Sequence, residues 1–133
     1  MIVIKQKWIK REDLQNNPNI IYLFGDNQLR TGLGGQAKEM RGEPNAVGIA
    51  TKMSPSEFMS DDTLEFNKSI IDDDFNKVKS KLAKLNNFWD WVKGRVVVVI
   101  PADGLGTGLA ELPTRAPKTY AYLCEKLEQL KDF

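Results

Sequence analysis

The sequence predicts an α/β fold, a three-layer sandwich around a small and mostly parallel sheet. Three observations carry this. Apolar-rich runs at IIYLF (20–24), AVGIATK (46–52) and RVVVVIP (95–101) read as strands buried on both faces, the habit of parallel sheets. Segments of helical character alternate with them, giving β-α-β-α-β-α-β-α. Two glycine-rich loops each follow a strand, and in a parallel sheet all strand C-termini share one rim, where open α/β sheets bind ligands.

The elements follow in order. Residues 2–8 alternate, Ile2 and Ile4 against Lys5 and Lys7, and read as a short strand. KREDLQNNPN is a polar helical turn stopped by Pro18. After the strand 20–24, residues 34–41 open a helix that Gly42 and Pro44 keep short. Pro55 starts a loop after the strand 46–52. Ser60 to Asp62 carries a helix-start signature, because these side-chain oxygens cap free amides; 61–71 itself is ambiguous. Phe75, Val78, Leu82 and Leu85 recur at helical spacing, predicting a helix over 71–92, with a possible break at Asn86-Asn87. The strand 95–101 holds four consecutive valines and Ile100. Thr114 is the expected cap of the last helix, with Pro117 in its first turn and Tyr120, Leu123, Cys124, Leu127 and Leu130 on one face.

The 133 residues fit one domain, 1–133, with a single core. Nineteen basic residues against eighteen acidic leave a formal charge of +1, with no field to draw in nucleic acid or a membrane. No apolar run approaches the ~18 residues of a membrane span, and no signal peptide is visible; the expected setting is the cytoplasm. One cysteine, Cys124, allows no internal disulfide and reads as a core residue. The absence of histidine removes Ser-His-Asp and Cys-His nucleophiles and the commonest metal ligand. No metal or cofactor is expected, and any catalysis falls to carboxylates, amides, backbone dipoles or water.

Glycine lets a ligand touch backbone amides, and amides leading into a helix N-terminus favour anions. Gly34-Gly35 before QAKEM fits this, and GLGTG (104–108) before the last helix fits it again. A dinucleotide fingerprint is disfavoured. Seven residues separate Phe24 from Gly32, and Thr51-Lys52 stands where an acidic ribose ligand is needed. No Gly-Lys-Ser/Thr sequence completes a Walker A loop. Each loop also has a plain reading as a tight turn.

LFGDN…GLGGQA and VVVVIPADGLGTGLAELP together resemble the two ligand loops of macro domains, especially the glycohydrolase-like branches. The resemblance covers about 23–37 and 95–113. The pattern FGDN…GGQA…RGEPNA also resembles small proteins of tailed bacteriophages and bacteria, which for a phage protein would mean the host cytoplasm. The macro resemblance implies an ADP-ribose-like nucleotide as partner. Asn27 would contact ribose, with Gly34 and Gly35 against ribose and diphosphate. Gly104, Gly106, Thr107, Gly108 and Leu109 would wrap the phosphates; Gly25, Gly32 and Gln36 complete the expected binding set. The family's paired asparagines are here Gly25-Asp26-Asn27, leaving one of two.

Asp26, Asn27 and Asp103 form the expected catalytic set, for an ADP-ribosyl hydrolase or an ADP-ribose phosphate phosphatase. Asp26 reads equally as a ribose contact, a general base or an Asx-turn residue, and Asp103 faces the same choice. Together at the rim they would be a carboxylate pair. Arg30 and Arg41 read as phosphate clamps or as solvated surface residues, Lys52 as a phosphate or carboxylate contact, and Glu111 as an acid or a surface residue. Tyr22 or Phe24 could lie near an adenine, whereas Phe88, Trp89 and Trp91 read mainly as packing between helix and sheet. The competing functions are nucleotide hydrolysis, nucleotide sequestration without turnover, and an interaction protein with structural loops.

Overall fold

The structure, a computed structural model, describes residues 2–85 and 97–133. The strands are β1 (Ile2–Gln6), β2 (Ile21–Asn27), β3 (Ala46–Ser54), β4 (Glu57–Phe58) and β5 (Val97–Pro101). They form one sheet in the order β1-β5-β2-β3-β4. The pairs β1–β5, β5–β2 and β2–β3 are parallel, and β3–β4 is antiparallel. The α/β reading with a mostly parallel sheet therefore holds. β4, with only two residues, is too short to leave a periodic signal.

The helices are α1 (Arg11–Asn16), α2 (Ala37–Met40), α3 (Leu64–Leu85), α4 (Leu112–Arg115) and α5 (Pro117–Leu130). Successive β2 side chains point to opposite faces. Ile21 and Leu23 join Ile71, Phe75, Val78 and Leu82 of α3 and Leu123 and Leu130 of α5 in one cluster. Tyr22 and Phe24 join Leu14 of α1 and Ala37 and Met40 of α2 in another. The sheet is thus covered on both faces, which is why IIYLF carries no polar alternation.

Several boundaries differ from the sequence reading: β2 runs on to Asn27 rather than ending at 24, β3 runs to Ser54 rather than 52, and α2 covers only Ala37–Met40 of the expected 34–41. β1 stops at Gln6 rather than at residue 8, and Lys7 and Trp8 leave the sheet exposed. α3 begins at Leu64 rather than at 71, after a 3₁₀ turn over Asp61–Thr63 whose cap is Ser60, as the signature predicts: its Oγ accepts from Asp62 N at 3.0 Å. The extra turns escape hydrophobic periodicity because their inward residue is polar. Asn67 is fully buried and donates to Ser60 O at 2.8 Å and Thr119 Oγ1 at 3.1 Å. Thr114 is not the cap of the last helix; it lies inside α4. α5 is capped from far away in sequence, by Asp61, which accepts from Lys118 N at 2.9 Å and Thr119 N at 3.0 Å. Cys124 is half-buried on the helix it was expected to occupy. The expected end of α3 to residue 92, the break at Asn86-Asn87, the start of the strand at 95, and Phe88, Trp89 and Trp91 lie outside the described residues.

Candidate functional site

Four parallel strands end at one edge of the sheet, and the segments that follow them line one cleft of about 660 Å³. That volume is within the range of small-molecule sites. The register slips where β2 reaches the rim, with Asp26 opposite Ala50 but Asn27 opposite Lys52, a bulge of the kind that re-aims side chains. All the predicted binding glycines, Gln36, Thr107, Leu109, Asp26, Asn27 and Asp103 line this cleft.

The two loops meet. A Cβ placed on Gly25 would lie 3.5 Å from the amide nitrogen of Gly106, and one on Gly34 would lie 3.8 Å from Leu109 Cδ1. Gly106 has φ +78° and is wedged so that a Cβ would come within 3.0 Å of Leu112 and 3.1 Å of Thr51. Only glycine fits both that backbone and that gap. Among the described residues, no hydrogen bond takes up the backbone N–H groups of Gly34 and Gly35 on one wall, or of Gly106, Thr107, Gly108 and Leu109 on the other. The second loop is braced by its own side chain, the Thr107 hydroxyl donating to Asp103 O. The expected helix-dipole contribution is weak. α2 and α4 have four residues each, too few aligned peptides for a sizeable macrodipole. The anion-binding capacity rests on the loop amides themselves.

Asp26 is buried, its side chain 4% exposed, and engaged on both oxygens. Oδ1 accepts from Arg41 Nη2 at 2.6 Å and from Asn27 N at 2.8 Å, and Oδ2 accepts from Arg41 Nη1 at 3.2 Å. Arg30 stands 3.7 Å from Oδ2 and reaches on to Asp74, which is fully buried, at 2.6 Å. Arg30 and Arg41 are therefore neither solvated surface residues nor free phosphate clamps. Arg41 also donates through Nε to Gly32 O at 2.8 Å and through Nη2 to Thr31 O at 3.2 Å, tying the first loop to Asp26. Asp26 and Asp103 share the cleft, and of the two Asp26 is the one paired with arginines.

Asn27 closes its own loop: Nδ2 donates to Thr31 O at 2.7 Å and Oδ1 accepts from Thr31 N at 3.5 Å. Gln36 is likewise committed, accepting from Ile9 N at 2.8 Å and donating to Ile9 O at 2.9 Å. Both are cleft residues whose side chains are engaged in shaping the walls. Lys52 lines the cleft with its ammonium on Pro55 O at 2.6 Å. Glu111 is a surface residue, paired with Arg115 at 2.7 Å.

The profile of a family of unknown function (DUF7831) matches residues 4–126. The chain belongs to this family. The matched span runs from β1 into α5 and contains both glycine loops. No curated protein and no solved structure matches the chain.

In this DUF7831 chain the remaining cleft residues are of a different kind. Asp103 is exposed, and its carboxylate has no hydrogen bond or ion pair among the described residues. Tyr22 and Phe24 are 2% and 3% exposed inside the core beneath α1 and α2, which removes both as surfaces for a base. Among the described residues the aromatic that lines the cleft is Trp8, 53% exposed, with Lys7 beside it. Sequence reasoning passed over both because they were assigned to β1; the available signal was that this strand, too, ends at the ligand rim. Asp74 was hidden in the acidic run IIDDDF, and only the fold brings it to Arg30. Among the described residues no cluster of His, Cys, Asp and Glu could hold a metal, and no helix is long and apolar enough to cross a membrane.

Proposed function

We propose that this DUF7831 chain binds an ADP-ribose-like, NAD-derived nucleotide in the cleft between its two glycine loops. One observation carries the reading: both walls of a single cleft present loop amides with no partner among the described residues, a donor set suited to the oxygens of a diphosphate. The likeness of both loops to those of macro domains supports the same ligand class. Binding without turnover fits the side chains best. Asp26 is held by Arg41 and Asn27 by Thr31, so neither offers a free group to activate water. In this form the protein sequesters the nucleotide.

A second reading, hydrolysis of an ADP-ribosyl or phosphoester linkage, has its own support in Asp103, an exposed cleft carboxylate without a partner among the described residues. Calorimetry with ADP-ribose, followed by chromatography of the incubated mixture, tests both. Saturable heat with intact ligand is expected. No heat and no thermal shift at millimolar ligand would sink the nucleotide reading. Product that disappears in Asp103→Asn, with binding retained, would replace sequestration by hydrolysis.

A further inference from the structure

The rim of the cleft is apolar on several sides. Trp8, Leu33 and Leu109 all line it, and all are more than half exposed. A site for phosphate alone gains nothing from such a rim. Exposing much of an indole also forgoes a large part of the burial energy a tryptophan usually contributes.

Trp8 is not exposed because its segment is loose. On one side, Gln6 Nε2 donates to Asp13 Oδ2 at 2.9 Å, and Ala102 N donates to Gln6 O at 2.7 Å. On the other, Ile9 is fully buried, and the Gln36 amide holds both its N–H and its C=O. Arg11 N then donates to Glu39 Oε2 at 3.0 Å, fastening the same segment to α2. Lys7 and Trp8 are thus a two-residue outward step pinned at both ends, with the indole facing a cleft it helps to line.

The strand order places this step. β1 is at one end of the rim, β5 and β2 with the two glycine loops lie in the middle, and β3 with Lys52 is at the other end. Three strand spacings make roughly 14 Å. That is long enough for a base, a diphosphate and a second polar group laid across the strand ends in that order.

The geometry points to Trp8 as the stacking platform for the aromatic base of the ligand, with the base at the β1 end of the cleft and the diphosphate between the loops. This rests on the nucleotide reading above and adds the ligand's direction and its need for a π-face. Indole-on-base stacking tolerates any purine or pyrimidine, so Trp8 selects base-bearing ligands over bare phosphosugars.

The test is calorimetric titration of wild type, Trp8→Ala and Trp8→Phe with ADP-ribose and, separately, with inorganic pyrophosphate. Trp8→Ala is expected to weaken ADP-ribose by about 5- to 150-fold, the range of one lost stacking contact. Trp8→Phe should stay within a few-fold of wild type, and pyrophosphate should bind all three alike. Thermal melting of the variants should match wild type, since the indole is half-exposed. Equal ADP-ribose affinity in wild type and Trp8→Ala would overturn the platform while leaving the nucleotide reading standing. Equal losses for ADP-ribose and pyrophosphate would also overturn it, by showing a damaged loop rather than a lost stack. Binding of neither ligand by wild type would bring down both readings.

Discussion

Arg41 grips both carboxylate oxygens of Asp26, at 2.6 and 3.2 Å, although the two residues lie fifteen positions apart in the chain. The same guanidinium bonds the carbonyls of Thr31 and Gly32, so one side chain joins the end of β2, the first glycine loop and α2.

Removing Arg41 leaves the buried Asp26 carboxylate with the Asn27 amide and the 3.7 Å approach of Arg30, and with no close cationic partner. Arg41→Ala is therefore expected to cost about 3 kcal/mol of stability, the scale of breaking a buried pair from one side. Arg41→Lys should recover only part of this, because an ammonium cannot make the bidentate contact and reach Gly32 O as well. Urea denaturation measures both. Asp26→Asn should likewise lower the midpoint; unchanged stability in that variant would contradict a structural role for the carboxylate.

Two glycines separate packing from ligand contact. A Cβ on Gly48 would lie 2.5 Å from Asp26 Oδ2 and 2.8 Å from Asp26 Cβ, against a carboxylate that cannot swing away from Arg41. Gly48→Ala is expected to destabilise by roughly 1–3 kcal/mol. A Cβ on Gly108 meets nothing within 4 Å. Gly108→Ala should melt like wild type but weaken ADP-ribose, because the new methyl stands on a cleft wall. A thermal melt and a titration of each variant give the comparison.

Asp61 gives the fold an acid sensitivity. Burial pushes its carboxyl up, but hydrogen bonds from the Lys118 and Thr119 amides and the Thr119 hydroxyl outweigh this and hold it below the usual range. A carboxyl depressed in the folded state stabilises above its unfolded pKa, about 3.9, and that stability is lost as pH falls through the folded value. Asp61→Ala should cost about 1 kcal/mol at neutral pH as a lost helix cap. The gap to wild type should narrow below pH ~4, which denaturant titrations at neutral and acid pH would reveal.

The sheet and the shared rim are legible in the sequence because Ile21 to Phe24 and Val97 to Ile100 are apolar at every position, as strands covered on both faces must be. The glycine loops are legible because such backbones exclude most other residues. The roles of Asp26, Arg30 and Arg41 are not, since charge pairs between distant segments have no period and exist only once the chain is folded. The same holds for Asp61, whose helix is capped across more than fifty residues. Trp8 falls between the two cases. Its strand was visible, but ending that strand at Gln6 rather than two residues later depends on where Gln36 fastens Ile9.

The position of β1 bears on how the protein is made. Among the described residues its one neighbour in the sheet is β5, and Ile2 pairs with Val97, 95 positions further along the chain. Emerging from a ribosome, β1 must wait until β5 has been synthesised before it has this partner, with its backbone hydrogen-bonding groups unpaired in the sheet meanwhile. Closing so long a loop is an entropically slow step. The wall that carries Lys7 and Trp8 and the second glycine loop, which follows β5 directly in the chain, are therefore both late to assemble, and newly made chains complete the cleft only near the end of synthesis.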